Sequence, residues 1–226
     1  MTARDHDNAG SAAEMIEKAE FQRRVRGMLA SIRALLRQTA EEAVSIEDYL
    51  MKAEGRLDAI ARVQTNFLFN AEFEIDLHQL VADELLAFGL REGPGLAVRG
   101  PAVRLRERTA QSLALALHQL AASSLGTGTT AGPHPTLDVA WSVSTTGPEP
   151  QLILTFDMPA AKGAEAPAEP GGALGFSEHA LRYEIGGSIC WTGDEETWRC
   201  TIAVPQSLGR GGGGGTRLWR DLTSGA

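Results

Sequence analysis

The sequence predicts an α+β protein in which an N-terminal antiparallel helical hairpin precedes an α/β sandwich. Two observations predict this division. In residues 13–70, apolar residues recur at spacings of three and four, which is the period of helices that bury one stripe of their surface. In residues 71–205, short segments of alternating polarity are interrupted by helical ones, a pattern typical of helices that cover one face of a mixed sheet.

Two long helices form the predicted hairpin. The first runs from about residue 11, with Ser11 as its cap, to residue 43; the second begins at a capping box in residues 45–48 and ends near residue 70. Together they present more apolar surface than one hairpin can bury, so we expect a homodimer in which two hairpins close into a four-helix bundle. The residues expected to form the dimer interface are Val25, Met28, Ile32, Leu35, Leu57 and Ile60.

The predicted sandwich contains three helices and seven short strands. The helices are expected at residues 78–88, 106–125 and 177–185, the last ending at Gly186-Gly187, and the strands at residues 73–77, 95–98, 102–105, 137–144, 151–157, 188–192 and 197–204. Residues 159–172 are rich in Ala, Gly, Pro and Glu, which predicts a mobile loop.

Both ends of the chain have the composition of unstructured segments. Residues 1–12 are small and polar, which predicts disorder. Residues 206–226 form a flexible tail because Gly211–Gly215 are consecutive glycines, which do not hold a fixed backbone. Leu218, Trp219 and Leu222 follow that run; they form either a docked peptide or a frayed end, and we interpret them as a frayed end.

The overall composition is that of a soluble protein and excludes several classes of function. The 226 residues carry a formal net charge of −8, which argues against binding to nucleic acid or to an anionic membrane surface. No apolar run approaches the ~20 residues of a membrane span, and the N-terminus lacks a signal-peptide core, so we expect a cytoplasmic protein.

Neither the histidines nor the cysteines have the spacing of a metal site. The five histidines are scattered, and we expect no metal and no cofactor. Cys190 and Cys200 fall on the arms of a predicted hairpin with the same parity, so they are expected to be reduced, half-buried and able to face each other.

The first helix contains the run Glu20-Phe-Gln-Arg-Arg-Val-Arg-Gly27, and the second contains Gly55-Arg-Leu57. These segments resemble the dimerisation and phosphotransfer region of bacterial sensor histidine kinases of the HWE/HisKA_2 type, whose first helix carries a run close to Glu-Leu-Asn-His-Arg-Val-Lys-Asn. The resemblance continues through the sandwich, which is similar to the ATP-binding domain of these kinases, and covers about residues 14–205.

Four catalytic features of that family are altered here. Arg23 occupies the position of the phosphoaccepting histidine, and the magnesium-binding run close to His-Glu-Leu-Ala-Thr-Asn-Ala becomes His118-Gln-Leu-Ala-Ala-Ser-Ser124. Gln119 thus replaces the acid, and Ser123 replaces the asparagine that ligates magnesium. The Trp-x-Glu signature becomes Phe156-Asp-Met158, and residues Gly171–Phe176 match the glycine-rich turn only in part. His118 matches a family histidine, but a helix histidine that is bonded locally or half-buried is the simpler interpretation.

The resemblance therefore implies a pseudokinase that lacks both the phosphoacceptor and the magnesium ligand. Its expected partner is the receiver domain of a response regulator. Contact is expected through Arg23, Arg26, Gly27, Ala30 and Arg33 on the outward face of the first helix, with Arg37 further along; the alternative is that these arginines form an ordinary solvated face. A helical-hairpin dimer followed by a degenerate ATP-domain-like module also resembles the Chp-type histidine phosphotransferases of the cell-cycle phosphorelay. That resemblance implies a CtrA-type regulator as the partner.

Two other functions remain open from the sequence. One is an active HWE-like kinase or phosphotransferase with an unorthodox site. The other is a dimerisation module that scaffolds a true kinase through mixed hairpin bundles.

Overall fold

The computed structural model of the chain describes residues 3–67, 73–126, 137–160, 175–193, 197–206 and 219–221. They belong to two compact units, Met1–Glu54 and Gly55–Ala226. The helices are α1 (Ala3–Glu42), α2 (Ile46–Phe67), α3 (Leu77–Leu86), α4 (Glu107–Gly126) and α5 (Gly175–Ile185). The strands are β1 (Ile75–Asp76), β2 (Leu96–Arg99), β3 (Val103–Leu105), β4 (Leu137–Ser144), β5 (Gln151–Pro159), β6 (Ser188–Gly193), β7 (Thr197–Pro205) and β8 (Trp219–Asp221).

The first unit contains α1 and the beginning of α2. Helix α1 begins at Ala3, so the predicted disorder of residues 1–12 disagrees with the structure from residue 3 onward; this segment holds no proline that would interrupt a helix. The capping box before α2 is confirmed: the Asp48 amide donates to Ser45 Oγ at 3.1 Å, and Asp48 Oδ2 accepts from the Val44 amide at 3.0 Å.

The second unit is built on a five-stranded mixed sheet in the order β2-β4-β5-β7-β6. Strands β2 and β4 are parallel, and the other neighbours are antiparallel. Burial alternates along β5 and β7, so one face of the sheet is covered while the other is more open. The predicted mixed sheet with helices on one face is confirmed. The buried residues of its two central strands are Leu152, Leu154, Phe156, Met158, Trp198, Cys200, Ile202 and Val204.

Helix α4 supplies most of the helical side of this core. Leu113, Leu117 and Leu120 are buried in the same apolar cluster as the sheet residues, together with Leu181 and Ile185 of α5. Helix α5 ends as predicted at a glycine: Gly186 has φ +64°, and the Gly187 amide donates to Leu181 O at 2.8 Å, which satisfies a carbonyl of the last turns. Residues 161–174, which hold most of the predicted mobile loop, lie outside the described residues.

A second, three-stranded antiparallel sheet has the order β1-β3-β8. Its third strand is Trp219–Asp221, so the frayed-end interpretation is wrong for these three residues. The physical reason is that β1 pairs with one side of β3 and leaves the other side with unpaired backbone groups, which an extended segment can satisfy. Gly211–Gly215, Leu218 and Leu222 lie outside the described residues.

The cysteines lie on opposite faces of the β6–β7 ladder. Cys190 pairs with Thr201, whereas Cys200 pairs with Trp191, so the prediction that the two cysteines face each other is wrong by one position of the register. Cys190 is exposed and Cys200 is buried, and both are free thiols. Burial, with a smaller contribution from Cys190, raises the pKa of the Cys200 thiol to about 12, so this thiol stays protonated at neutral pH.

Gly100, in the connection from β2 to β3, packs directly against a core tryptophan. A Cβ at Gly100 would overlap the indole ring of Trp141, whose Nε1 donates to Pro101 O at 2.8 Å. We expect Gly100→Ala to lower the free energy of unfolding by about 1–3 kcal/mol, because the ring must move and lose this hydrogen bond. Urea denaturation followed by tryptophan fluorescence measures the change.

Gly147→Ala is the matched control, because its added Cβ would meet only Glu149 O at 3.7 Å, an ordinary contact. We expect it to change stability by less than about 0.5 kcal/mol. Equal effects of the two substitutions would contradict the packing described around Trp141.

Candidate functional site

Four arginines form one exposed row along α1. Arg23, Arg26, Arg33 and Arg37 follow the spacing of three, seven and four that places residues on one helix face, and all four are exposed. We call these four residues the arginine stripe. It contains Arg23, which occupies the position of the phosphoaccepting histidine in the sequence resemblance, so the predicted partner-binding residues do share one surface.

The arginine stripe is not neutralised by the carboxylates that the structure describes. Arg26 Nε donates to Gln22 O at 3.3 Å, while Arg23, Arg33 and Arg37 make no ion pair within the described residues. Elsewhere, arginines are typically matched: Arg199 donates twice to Asp157, both at 2.6 Å, and these hydrogen bonds raise the pKa of the Arg199 guanidinium. Within the part of the chain that the structure describes, the stripe is therefore a row of positive charge without paired carboxylates, on a chain that is acidic overall.

Small residues separate the arginines of the stripe. Ala30 lies between Arg26 and Arg33 and is exposed, and a Cβ added at Gly27 would meet nothing within 4 Å. The helix backbone is thus accessible at this level of α1, and a partner surface can approach it closely between the guanidinium groups.

The two altered magnesium-site positions share another face, on α4. Gln119 and Ser123 lie one turn apart, the first buried and the second half-buried. Thr109 and Ser112 continue the same face, and within the described residues their buried hydroxyls have no hydrogen-bond partner. Every one of these four side chains is uncharged, so this face of α4 offers neither a carboxylate base nor the amide oxygen expected of the family's asparagine.

His118 lies on the opposite face of α4 and is packed between neighbouring helices. Its ring is 4.8 Å from that of Phe88, centroid to centroid, and its Nδ1 is 3.7 Å from Glu84 Oε2. A Cβ added at Gly55 would come within 2.5 Å of its Nε2, which explains physically why glycine stands there in α2. The interpretation of His118 as a half-buried packing residue is confirmed.

A buried ion pair joins α2 to α3 beside this histidine. Arg62 Nε donates to Glu84 Oε1 at 3.0 Å and Arg62 Nη2 to Glu84 Oε2 at 2.6 Å, and Glu84 is 0% exposed. The hydrogen bonds to Glu84 raise the pKa of the Arg62 guanidinium, against the opposing effect of its partial burial. Gln64 adds hydrogen bonds from α2 to Glu107 and Gln111 of α4 at 3.0 and 3.1 Å.

A cleft of about 480 Å³ lies next to this ion pair. Its lining includes neither Gln119 nor Ser123, so it is separate from the altered magnesium-site positions. Its charged groups are engaged with one another or with neighbours, as in the Arg62–Glu84 pair. The lining residues are Arg62, Val63, Asn66, Phe73, Glu74, Ile75, Asp76, Gln79, Leu80, Asp83, Glu84 and Arg104.

The residues predicted to form a dimer interface differ in exposure within one chain. Val25, Met28, Ile32 and Leu57 are half-buried, whereas Leu35 and Ile60 are 0% and 3% exposed. A second, more exposed apolar set in the first unit was not among the predicted residues. Leu29 and Met51 do not follow the apolar spacing of three and four along their helices. Apolar residues outside that spacing could have indicated an exposed apolar surface. The set is Met15, Phe21, Leu29, Val44, Ile46, Leu50 and Met51.

The remaining altered motif positions have structural roles or lie outside the described residues. Phe156 and Met158 are buried in the sheet, and Asp157 pairs with Arg199. Residues 171–174 of the glycine-rich turn are not described, and α5 begins at Gly175. Across the described ranges, no group of three or more His, Cys, Asp or Glu side chains is arranged to hold a metal ion. No described helix is long and apolar enough to cross a membrane.

The Arg62–Glu84 pair makes a testable contribution to stability. We expect Arg62→Ala to lower the free energy of unfolding by about 3 kcal/mol, because Glu84 would remain as an uncompensated buried charge. Arg182→Ala is the control, since Arg182 is 59% exposed and pairs with Glu178 at 3.1 Å on the surface of α5; we expect it to cost less than about 1 kcal/mol. Denaturant titration measures both, and equal losses would show that the buried pair does not hold α2 against α3.

Comparison with known proteins shows a similarity to histidine kinases in part of the sequence and in the fold. The HWE histidine kinase family model matches residues 20–102. The Erythrobacter litoralis EL346 blue-light activated histidine kinase has a similar structure, with a TM-score of 0.57 and 13% identity over 82% of this chain and 60% of that chain. The histidine kinase domain from the same kinase gives a TM-score of 0.52 and 15% identity over 78% of this chain and 85% of that chain.

At this identity, the two structural likenesses show the fold and nothing further. The chain spans 60% of the length of the first of these kinases. No curated protein sequence matches the chain. Residues 20–102 therefore resemble the HWE histidine kinases in sequence, and the helices followed by a mixed sheet have the fold of a histidine kinase domain.

Proposed function

We propose that this protein is a catalytically inactive histidine kinase-like regulator that binds the receiver domain of a response regulator and modulates its phosphorylation. The observation that carries the proposal is Arg23: an exposed arginine, without a described ion pair, stands where the resemblance to HWE kinases puts the phosphoaccepting histidine.

Arginine and histidine differ in the chemistry that matters here. Phosphotransfer needs a nucleophilic imidazole, whereas a guanidinium is permanently protonated and has no lone pair to offer a phosphoryl group. A guanidinium does bind carboxylates well, because its planar fork donates two parallel hydrogen bonds. Receiver domains place clustered carboxylates around their phosphorylatable aspartate, so Arg23 is suited to occupy that pocket without reacting in it.

The rest of the stripe supports the same partner. Arg26, Arg33 and Arg37 extend the positive charge along α1, and Gly27 and Ala30 leave the backbone open to close approach. Positive charge in a row accelerates the encounter with an acidic surface and orients it. The resemblance to Chp-type phosphotransferases makes a CtrA-type cell-cycle regulator the first receiver to test.

The face of α4 supports the absence of catalysis. A kinase of this family needs an acidic residue and a magnesium-ligating asparagine there, and Gln119 and Ser123 supply a neutral amide and a short hydroxyl instead. Gln119 is a poor base at any physiological pH, and Ser123 does not extend to where an asparagine oxygen would lie. Loss of both groups, together with the phosphoacceptor, supports a protein that binds its partner and transfers nothing.

One observation favours a second candidate, a dimerisation scaffold for a true kinase. The exposed apolar set of the first unit, which includes Phe21, Leu29, Leu50 and Met51, is suited to bury against another helical hairpin. Mixing this protein with a cognate kinase separates the two functions: subunit exchange would favour the scaffold, whereas capture of isolated receiver domains would favour the receiver-binding regulator.

The receiver-binding role depends on the charge of Arg23. We expect Arg23→Glu to weaken binding of the captured receiver domain by roughly tenfold or more, since a desolvated hydrogen bond to a charged group contributes about 1.5–3 kcal/mol. Affinity is measured by interferometry or calorimetry with purified receiver domains.

Arg91→Glu provides the control, because Arg91 is also exposed, has no described ion pair and lies in the second unit. It changes the net charge by the same amount, and we expect it to leave the affinity within about twofold. Unchanged affinity of Arg23→Glu would remove Arg23 from the interface.

Nucleotide binding separates the regulator from an active kinase. Titration of the protein with ATP and magnesium in a calorimeter is expected to give no binding heat, whereas an active histidine kinase run in parallel gives a saturating signal. ATP binding followed by phosphorylation of this chain would support the unorthodox enzyme instead.

A further inference from the structure

The small sheet β1-β3-β8 is completed by a strand from beyond the glycine run. Trp219, Arg220 and Asp221 pair with Leu105, Arg104 and Val103, in that order. In the sequence, Gly211–Gly215 separate this strand from the rest of the second unit. The strand is thus attached to the domain through glycine-rich sequence, which favours no particular backbone path.

The row of side chains across this sheet opposes the docking of β8. Asp76, Arg104 and Arg220 are directly opposite one another on the three strands. Arg104 and Arg220 are therefore like charges on adjacent strands, an arrangement that destabilises a sheet. The Asp76 carboxylate only partly compensates, because its Oδ2 is 3.9 Å from Arg104 Nε.

Glu74 is the group that offsets this repulsion. Its Oε2 accepts from Arg220 Nη2 at 2.9 Å, and its Oε1 is 3.4 Å from Arg106 Nη2. The Glu74 side chain is only 16% exposed, whereas that of Arg220 is 56% exposed. Glu74 is thus a largely buried anion that accepts a hydrogen bond from the guanidinium of β8, and it is the carboxylate that pairs with Arg220 among the described residues.

A three-residue ladder with one half-exposed ion pair binds weakly by itself. Attachment to the same chain raises the effective concentration of the strand to roughly the millimolar range, so the strand can remain docked without strong contacts. The same contacts are available to a peptide of the same sequence supplied from solution, because they involve only β3 and Glu74.

We propose that the outer side of β3, together with Glu74, is a strand-docking site whose resident ligand is the chain's own Trp219–Asp221. The ligand class is an extended peptide that adds to the sheet by main-chain hydrogen bonds and directs an arginine to Glu74. The chain occupies this site in cis and so controls access to it.

Hydrogen exchange in the full chain tests the dependence on Glu74. In Glu74→Gln the Arg104–Arg220 repulsion is left without its buried counter-charge, and residues 103–105 are expected to exchange about two- to fivefold faster. Glu178→Gln is the matched control, since Glu178 is 17% exposed and pairs with Arg182 at 3.1 Å, and exchange at residues 103–105 stays at the wild-type rate. Equal exchange rates at residues 103–105 in the two variants would overturn the proposal.

A peptide in trans tests the site itself. Arg220→Pro in the full chain prevents β8 from pairing without altering β3. A labelled peptide of residues 216–226 is expected to shift the amide resonances of residues 103–105 in Arg220→Pro, with an apparent affinity roughly tenfold higher than for the wild-type chain, whose site is filled. The same peptide with proline in place of arginine serves as the negative control.

Three results would overturn the proposal. They are binding of the peptide to neither chain, equal binding to both, and protection of residues 103–105 that rises with protein concentration. The last result would show that a second copy of the chain, rather than the same chain, supplies the strand.

Discussion

The second unit depends on the buried pairing of Arg62 with Glu84. A carboxylate that is 0% exposed is tolerated only because a guanidinium meets it with two hydrogen bonds, and the partners come from α2 and α3. This pair aligns the end of the long second helix with the sandwich, and His118 and Gly55 pack beside it. A glycine at position 55 and a half-buried histidine at position 118 thus have one structural explanation, independent of catalysis.

The fold resembles that of histidine kinase domains, whereas the side chains at the positions of the family's catalytic residues differ. Residues 20–102 match the HWE histidine kinase family model, while α1 carries an exposed row of arginines that form no ion pair with the described carboxylates. On α4, the positions that the resemblance assigns to acid and magnesium ligand hold uncharged side chains. Under the proposed function, these features suit the recognition of a carboxylate-rich pocket through charge and shape rather than the transfer of a phosphoryl group.

The elements with a strong period could be predicted from the sequence, and the contacts between distant residues could not. Helix α4 and strands β4 and β5 were predicted within a few residues because apolar spacing identifies them directly. Strand β8 was missed because three residues show no period and its pairing depends on an unfilled edge of β3. The Arg62–Glu84 pair, 22 positions apart, left no local pattern. The arginines of the stripe were expected on one face from the family resemblance, but their lack of described ion pairs required the structure.

The central claim is that this chain handles no phosphoryl group itself. The most direct measurement incubates the purified protein with radiolabelled ATP and magnesium, and separately with a radiolabelled phosphorylated receiver domain, beside an active histidine kinase. The account predicts label on the active kinase and none covalently attached to this chain in either reaction. Acid-labile label retained by this chain after denaturing electrophoresis would contradict it.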